Sequence, residues 1–240
     1  MQATYSYYDF NKSVERVSET LDSSDALYED KTTIPSRDSL TFNNGFYVKC
    51  SALFVDIRKS KDLPSKHTRP VLAKIYKTYI SEVVAVMRGN LDIFEISIEG
   101  DCVWGVFDTP FKSNINNVFH TAAKISSLID ILNIKYKKKG YSAINIGIGA
   151  SWGESLFIKA GYKGSGINEI VWVGELVGEA AKLCSYGNRN YNDAEIMVSS
   201  VFYSNLNDSN QKCLVKSSYP DCYEGNVINT TMSEWVETNG

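Results

Sequence analysis

The sequence predicts an α+β fold whose core elements follow the order β-α-β-β-α-β. Short apolar runs rich in Val, Ile and Phe predict buried strands at Tyr47–Ile57 and within Ile93–Phe107. Apolar residues at helical spacing predict helices over Thr68–Met87 and from Ser113 to about Tyr136. With one further strand after the second helix, this order is the ferredoxin-like βαββαβ arrangement, an antiparallel-rich sheet with helices packed on it.

The first 45 residues are polar and mixed, and we expect an N-terminal arm ahead of a domain that spans residues 46–240. Ser13–Leu21 has a weak helical pattern, and the stretch from Ile34 to Gly45 has the composition of a loop. The arm is expected to pack on the body of the domain or on a partner subunit.

Two carboxylates stand at the ends of the predicted strands. Asp56 ends the first strand, and Glu99-Gly100-Asp101 predicts a tight hairpin turn in which Gly100 takes a positive φ. If these strands are neighbours, Asp56 and Asp101 lie a few ångströms apart. Such a pair is costly unless a cation neutralises it, and Mg²⁺ or Mn²⁺ with phosphate ligands is the usual solution.

The second half of the chain is predicted to add strands at Ala143–Ala150, Leu156–Ala160, Glu169–Val173 and Ile196–Ser199. The first two are expected to flank a turn at Trp152–Glu154, and Glu175–Tyr186 is predicted as a helix. Short strands are expected near Lys212–Lys216 and Gly225–Ile228, followed by a polar tail.

Composition narrows the class of protein. The net charge is −3, and the basic triplet Lys137–Lys139 closes a predicted helix, so we expect no nucleic-acid partner. No apolar run approaches the ~20 residues that span a bilayer, and the N-terminus lacks the layout of a signal peptide. The five cysteines have no metal-type spacing. We therefore expect a cytoplasmic protein with reduced thiols and no membrane partner.

Three segments together, LFVDIRKS, IEGDCVWGVF and VWVGELVGEAAKLCS, resemble the signatures of class III nucleotidyl cyclases. The resemblance covers roughly Phe46 to Ile228 and is strongest to the small bacterial pyrimidine cyclases of Pycsar anti-phage defence. It implies that Asp56, Asp101 and the backbone carbonyl of Ile57 hold two Mn²⁺ or Mg²⁺ ions. One ion would lower the pKa of the ribose 3′-hydroxyl, and the other would hold the triphosphate.

The other positions expected to contact the substrate match the family pattern less well than the two carboxylates do. The loop Arg58-Lys59-Ser60 directly follows the first carboxylate, and its backbone N–H groups and cations suit a triphosphate, although a solvated basic loop fits equally well. Where the family has an Asn for the ribose and an Arg for the transition state, this chain has Gly178 and Lys182. Both still lie on one helix face, but Lys lacks the bidentate fork of Arg and Gly has no side chain.

The base-reading positions of the family correspond to Ser97 and Val171, which match neither the adenine-reading nor the guanine-reading set. Because rejecting a wrong base needs polar groups placed for the right one, we prefer a smaller base, with UTP or CTP as substrate. Phe46 or Tyr47 could stack on the ring, although such aromatics are more often core residues.

The resemblance also implies a homodimer with sites at the subunit interface, and a 3′,5′-cyclic product that activates a separate effector protein. UTP is favoured over CTP by family prevalence alone. Two alternatives stay open at this point: a purine cyclase with an unusual pocket, and a non-catalytic nucleotide-binding sensor, suggested by Gly178 and Lys182.

Overall fold

A nine-stranded mixed sheet organises residues 3–240, the part of the chain that the computed structural model describes. The strands are β1 Tyr28–Lys31, β2 Gly45–Ile57, β3 Ile93–Glu99, β4 Cys102–Asp108, β5 Ile146–Tyr162, β6 Ile167–Val173, β7 Ile196–Ser199, β8 Val215–Lys216 and β9 Cys222–Gly225. The helices are α1 Phe10–Leu21, α2 Leu63–Lys66, α3 Arg69–Arg88, α4 Lys112–Lys137, α5 Glu175–Tyr186, α6 Ser200–Asn205, α7 Asp208–Gln211 and α8 Thr230–Asn239. Within these residues, no helix combines the length and apolarity needed to cross a bilayer.

The sheet confirms the predicted ferredoxin-like core. Its central strands lie in the order β3-β4-β2-β5, with the helices α3 and α4 in the two crossovers. β2 pairs antiparallel with both neighbours, so that Val55 lies opposite Val103 of β4 and Asp56 opposite Gly147 of β5. β7 then extends the sheet in parallel with β5.

The two strands predicted around a turn at Trp152–Glu154 are wrong, because β5 runs unbroken from Ile146 to Tyr162. Gly153 stays in the ladder opposite Cys50, and the Trp152 indole N–H donates to the Thr109 carbonyl at 3.1 Å. The thirteen-residue strand β2 pairs along its whole length with β5, and this pairing overrides the local turn preference of Gly153.

The C-terminal stretch also differs from its prediction. The expected polar tail forms the helix α8, which begins at an Asn229 cap and packs on α4. Lys138 donates to the Asn239 carbonyl at 2.8 Å, and Lys135 lies over the Trp235 ring at 5.0 Å. The last strand is β9, slightly earlier than the predicted Gly225–Ile228.

The two faces of the sheet differ in what covers them. We call the side that carries Leu53, Val55 and Ile57 the helix-covered face, because α3 and α4 bury these three residues at the C-terminal half of β2. The opposite side, which carries Phe54 and Asp56, is called the α5 face, and it packs on α5 and β6. Since successive strand residues alternate, Asp56 lies on the α5 face.

Part of the N-terminal segment joins the sheet. β1 pairs in parallel with the start of β2, and Ile34 and Leu40 are buried in the core of the α5 face. The Ile34 backbone N–H donates to Asp108 Oδ1 at 3.3 Å. By contrast, α1 has no buried residue. The boundary between arm and domain at residues 45 and 46 stays a prediction.

Candidate active site

Asp56 and Asp101 meet at one end of the sheet. Asp56 is the penultimate residue of β2, and Asp101 lies in the β3–β4 turn, where Gly100 has a φ of 68°. Burial raises the pKa of Asp56, and the charge of Asp101 raises it further, whereas Arg58 opposes the rise. The topology therefore brings the two predicted metal carboxylates close enough to repel each other.

Arg58 compensates part of this negative charge. Its Nη2 donates to Asp56 Oδ2 at 2.9 Å, and its Nη1 donates to the Ser185 carbonyl at 3.3 Å. The Arg58 side chain is 15% exposed, and its Nε is buried without a hydrogen-bond partner. Arg58 thus connects the end of β2 with the end of α5.

The carboxylate pair fits a divalent cation. Asp101 Oδ2 is buried without a hydrogen-bond partner, and the raised pKa of Asp56 marks a shortage of positive charge. Residues 3–240 contain no group of three or more His, Cys, Asp or Glu side chains that could enclose a metal. Two carboxylates suit Mg²⁺ or Mn²⁺, which keep water and substrate phosphate oxygens in the shell. Ile57, whose carbonyl is the third predicted ligand, is the last residue of β2.

A basic cavity of about 340 Å³ opens beside this pair, lined by Arg58, Lys59, Ser185, Asn188 and Arg189. Three of these five residues are cationic and none is acidic. Lys59 has a left-handed φ of 53° and precedes the short 3₁₀ turn that begins at Ser60. The cavity therefore suits a polyanion, and the roles of Arg58 and Lys59 in binding a triphosphate stay a prediction.

Helix α5 lies unusually close to β5. A Cβ atom at Gly149 would overlap the Ala180 carbonyl oxygen, and one at Gly147 would overlap the Cys184 carbonyl oxygen. The Cys184 thiol donates to the Gly147 carbonyl at 3.1 Å. These two glycines set the position of α5 relative to Asp56, since Gly147 is the partner of Asp56 in the ladder.

The two family positions on α5, Gly178 and Lys182, do not line this cavity. No atom of another segment lies within 4 Å of a Cβ built at Gly178, and Lys182 is exposed, with its Nζ 6.0 Å from the Tyr186 ring centre. Among residues 3–240, no ion pair joins Lys182 to Asp56, whose salt-bridge partner is Arg58.

The two predicted base contacts lie on opposite sides of the sheet, because Ser97 is aligned with Trp104 on the α5 face, whereas Val171 is paired with Ile158 and alternates with Trp172 of that face. Ser97 on β3 is half-buried and lies opposite Trp104, whose ring stacks on Phe54 at 5.0 Å. Val171 on β6 is 38% exposed. Tyr47 is nine residues before Asp56 on the other face of β2, about 30 Å away along the strand. The aromatic pair Phe54–Trp104 therefore lies closer to the carboxylates than Tyr47 does.

Known proteins resemble this chain in sequence and in fold. The chain matches no family model. It is 35% identical over 233 residues to a uridylate cyclase of Treponema porcinum, covering 95% of this chain and 81% of the relative. It is 33% identical to a uridylate cyclase of Gulbenkiania mobilis over the full length of both. The chain belongs to the uridylate cyclase family.

The fold of this uridylate cyclase family member is that of class III cyclase domains, as predicted. The crystal structure of the adenylyl cyclase CyaB from P. aeruginosa superposes with a TM-score of 0.64 at 18% identity. The superposition covers 78% of this chain and 97% of the CyaB chain.

Sequence reasoning missed two residues at the site of this cyclase. Arg189 lines the basic cavity from the loop after α5, where no periodic pattern marks it. Tyr76 of α3 lies near the carboxylates, because Asp101 and Asp56 add to the rise that burial causes in its pKa. The sequence offers only one signal for Arg189, a cation in a polar loop. Tyr76 gives no separate signal, because it lies among the apolar positions that define α3.

Proposed function

We propose that this protein is a pyrimidine nucleotide cyclase that converts UTP, or CTP, to the 3′,5′-cyclic monophosphate and pyrophosphate. The ribose 3′-oxygen attacks the α-phosphorus, and the bond from that phosphorus to the bridging oxygen of the pyrophosphate breaks. The observation that carries the proposal is the coupled carboxylate pair, Asp56 and Asp101, beside a basic cavity. Membership of the uridylate cyclase family supports it.

Asp56, Asp101 and the Ile57 carbonyl would hold two Mn²⁺ or Mg²⁺ ions. When bound, these ions supply activation of the 3′-hydroxyl and neutralisation of the pyrophosphate. Arg58 and Lys59 bind the triphosphate together with Arg189, and Ser60 adds a backbone N–H at the start of its turn. Because Arg58 lies between Asp56 and the cavity, its guanidinium can reach a carboxylate or a phosphate oxygen.

We propose that the working unit is a two-fold homodimer. Within one chain, neither Gly178 nor Lys182 lines the basic cavity beside the carboxylates, and Lys182 Nζ lies over the Tyr186 ring at 6.0 Å. A two-fold axis would place α5 of one subunit against the carboxylates of the other, so that Lys182 could donate to the α-phosphate. Lys182 would then supply one charge, without the bidentate geometry of an arginine.

Ser97 and Val171 stay the proposed base contacts, although within one chain their side chains lie on opposite sides of the sheet. Ser97 offers one small hydroxyl and Val171 an apolar contact, a pairing that leaves the polar edge of a purine unsatisfied. The Phe54–Trp104 stack offers an aromatic surface in the same strand row as Ser97, and Tyr47 is the alternative aromatic.

The cyclic nucleotide would act as a messenger. We propose that it activates a separate cyclic-nucleotide-responsive effector protein in antiviral defence, because the chain resembles the Pycsar cyclases. The reaction is placed in the cytoplasm, where its nucleoside triphosphate substrate is found.

The test is to incubate the purified protein separately with ATP, GTP, CTP and UTP plus Mn²⁺, beside an Asp56→Ala variant, and to resolve the products by chromatography. A cyclic pyrimidine product that is absent with Asp56→Ala is expected. A cyclic purine product would refute the pyrimidine assignment and keep the cyclase. Binding of triphosphate without any pyrophosphate would favour a non-catalytic sensor, the second candidate that Gly178 and Lys182 suggest.

A further inference from the structure

The first helix, α1, carries a stripe of apolar side chains that its own chain leaves open to water. The helix begins at an Asp9 cap, whose Oδ1 accepts from the Asn11 backbone N–H at 3.0 Å. Each side chain of the stripe is at least half exposed, and the stripe consists of Phe10, Val14, Val17 and Leu21. Contiguous apolar surface of this kind is unfavourable in water and is typical of a contact site.

The orientation of α1 is the reverse of that of an ordinary surface helix, which packs its apolar side on the core and exposes its polar side. From residue 10 to residue 21, only Ser13 and Arg16 are half-buried, and the others are exposed. The Arg16 guanidinium lies over the Tyr162 ring of β5 at 4.8 Å. The polar side of α1 therefore contacts its own domain, while the apolar stripe stays uncovered.

An open cleft between α1 and the β5 strand does not change this conclusion. The cleft has a volume of about 1350 Å³, and Val17 and Leu21 are among the residues that line it. Both still expose more than half of their surface, and Phe10 and Val14 do not line the cleft at all. The stripe is thus free along its whole length.

The spacing of the stripe is that of a seam between two helices. Its members follow one another at intervals of four, three and four residues, the d, a, d and a positions of two heptads. A stripe restricted to these positions is narrower than the face that a helix packs on a globular core. The pattern therefore fits the matching seam of another helix.

The residues around the seam indicate which helix that is. The flanking positions carry small uncharged side chains, namely Asn11, Ser13, Ser18 and Thr20. The charges lie on the other side of α1 and cancel, with two cations and two anions: Lys12, Arg16, Glu15 and Glu19. An anionic lipid surface would require a side rich in Lys and Arg. A second α1 offers the same seam and equally uncharged flanks, so that two copies are complementary without repulsion.

We propose that the α1 helices of two copies of this chain pair along Phe10, Val14, Val17 and Leu21. This inference rests on the proposed homodimer, to which it adds a contact outside the active site. With 12 residues, about 18 Å, α1 is too short to hold two chains together by itself. The pairing therefore strengthens a dimer whose larger interface lies elsewhere, and it gives the segment before residue 46 a role in assembly.

Charges placed on the seam test the pairing. Val14→Glu combined with Val17→Glu should raise the dissociation constant of the dimer at least about tenfold, because four apolar contacts per dimer become charges that repel each other. Lys12→Glu is the matched control, since it changes the net charge of each chain by the same amount on the other side of α1. Sedimentation equilibrium measures both, and an unchanged dissociation constant in the seam variant would overturn the proposal.

Cysteine cross-linking detects the same contact directly. The experiment uses a Cys213→Ser background, which removes the exposed cysteine. Parallel helices should form a disulfide in Val14→Cys alone, and antiparallel helices in an equimolar mixture of Val14→Cys and Val17→Cys; either result supports the pairing. Glu15→Cys, on the outer side of α1, is the control. Seam variants that cross-link no faster than this control would contradict the proposal.

The outcomes separate this inference from the homodimer. If the unmodified protein sediments as a monomer, the homodimer fails and the pairing fails with it. If it sediments as a dimer that the seam variants neither weaken nor cross-link, the pairing is wrong and the homodimer stands. A loss of thermal stability in the doubly charged variant that does not depend on protein concentration would mean that the stripe packs on its own chain, which also refutes the pairing.

Discussion

The helix-covered face and the α5 face are the two sides of the same strands, but they differ in how well their side chains are packed and their charges compensated. On the helix-covered face, side chains such as Leu53, Ile75 and Phe119 are at most 1% exposed and make an apolar layer. On the α5 face, Asp56 keeps a raised pKa and Asp101 an unpartnered oxygen. The helix-covered face therefore mainly stabilises the fold, whereas the α5 face gives up some stability to hold the charged groups of the proposed active site.

The largest effect on activity is expected at Asp101, whose buried Oδ2 has no hydrogen-bond partner. Asp101→Asn should reduce pyrophosphate release about a thousandfold, ~4 kcal/mol of transition-state stabilisation, because one metal carboxylate is lost. The same substitution should leave the free energy of unfolding unchanged or raised, because it removes the repulsion with Asp56. Product chromatography and urea unfolding on one preparation check both. A strong loss of stability would contradict the division between the faces.

On the helix-covered face the opposite pattern is expected. Phe119→Ala should destabilise the protein by about 3 kcal/mol, because a fully buried ring in the α4 layer is removed. The fraction that stays folded should keep its preference among nucleotides. Urea unfolding measures the first quantity and competition between UTP and ATP the second. A changed preference would show that this layer also shapes the site.

Near the otherwise apolar helix-covered face lies one buried carboxyl, Glu195, and it makes the free energy of unfolding depend on pH. Burial raises the pKa of Glu195 to about 7, and its Oε1 has no hydrogen-bond partner. An acid whose folded pKa is raised stabilises the fold at low pH, and that stability is lost as pH rises toward 7. Glu195→Gln should therefore be more stable than the unmodified protein by roughly 2 kcal/mol at pH 8.

The difference should shrink toward zero near pH 4, below the pKa of about 4.3 that a glutamate has in the unfolded chain, because Glu195 is then mostly protonated in both states. Urea unfolding of both proteins at several pH values between about 4 and 8 measures it. A difference that is constant with pH would mean that Glu195 does not titrate in this range.

The smallest effect is expected at Gly178. Because a Cβ there meets open space, Gly178→Ala should stabilise α5 by about 0.5–1 kcal/mol through helix propensity alone. Thermal unfolding checks the gain. Gly178→Asn is the matched variant, since it restores the side chain that the family uses for the ribose. If Gly178→Ala abolishes activity, the position is filled by substrate or by a partner subunit.

The sequence alone predicted the core because local patterns encode it. The helix Glu175–Tyr186 and the strand Ile196–Ser199 have the predicted bounds, and the carboxylates lie at the predicted strand end and hairpin turn. Periodicity reports which residues face a core, and turn chemistry reports where chains reverse.

The features that the sequence analysis predicted wrongly or overlooked have one physical cause, which is contact between segments distant in the chain. Gly153 has turn character, yet the partner strand β2 keeps it extended. Arg189 joins the basic cavity only because Gly147 and Gly149 let α5 approach β5. No window along the chain contains these relations, so local patterns could not predict them.

Residues 28–40 contribute the strand β1 to the sheet and bury Ile34 and Leu40 in its core. This attachment has a practical consequence for recombinant work. A shortened protein that starts at residue 46 would lose β1, the anchors Ile34 and Leu40, and Arg37. Apolar groups now buried on the α5 face would meet water, and β2 would present a bare edge from Phe46 to Val48, a template for aggregation. Crystallisation, tagging and effector-pairing studies are therefore better served by placing any fusion ahead of α1.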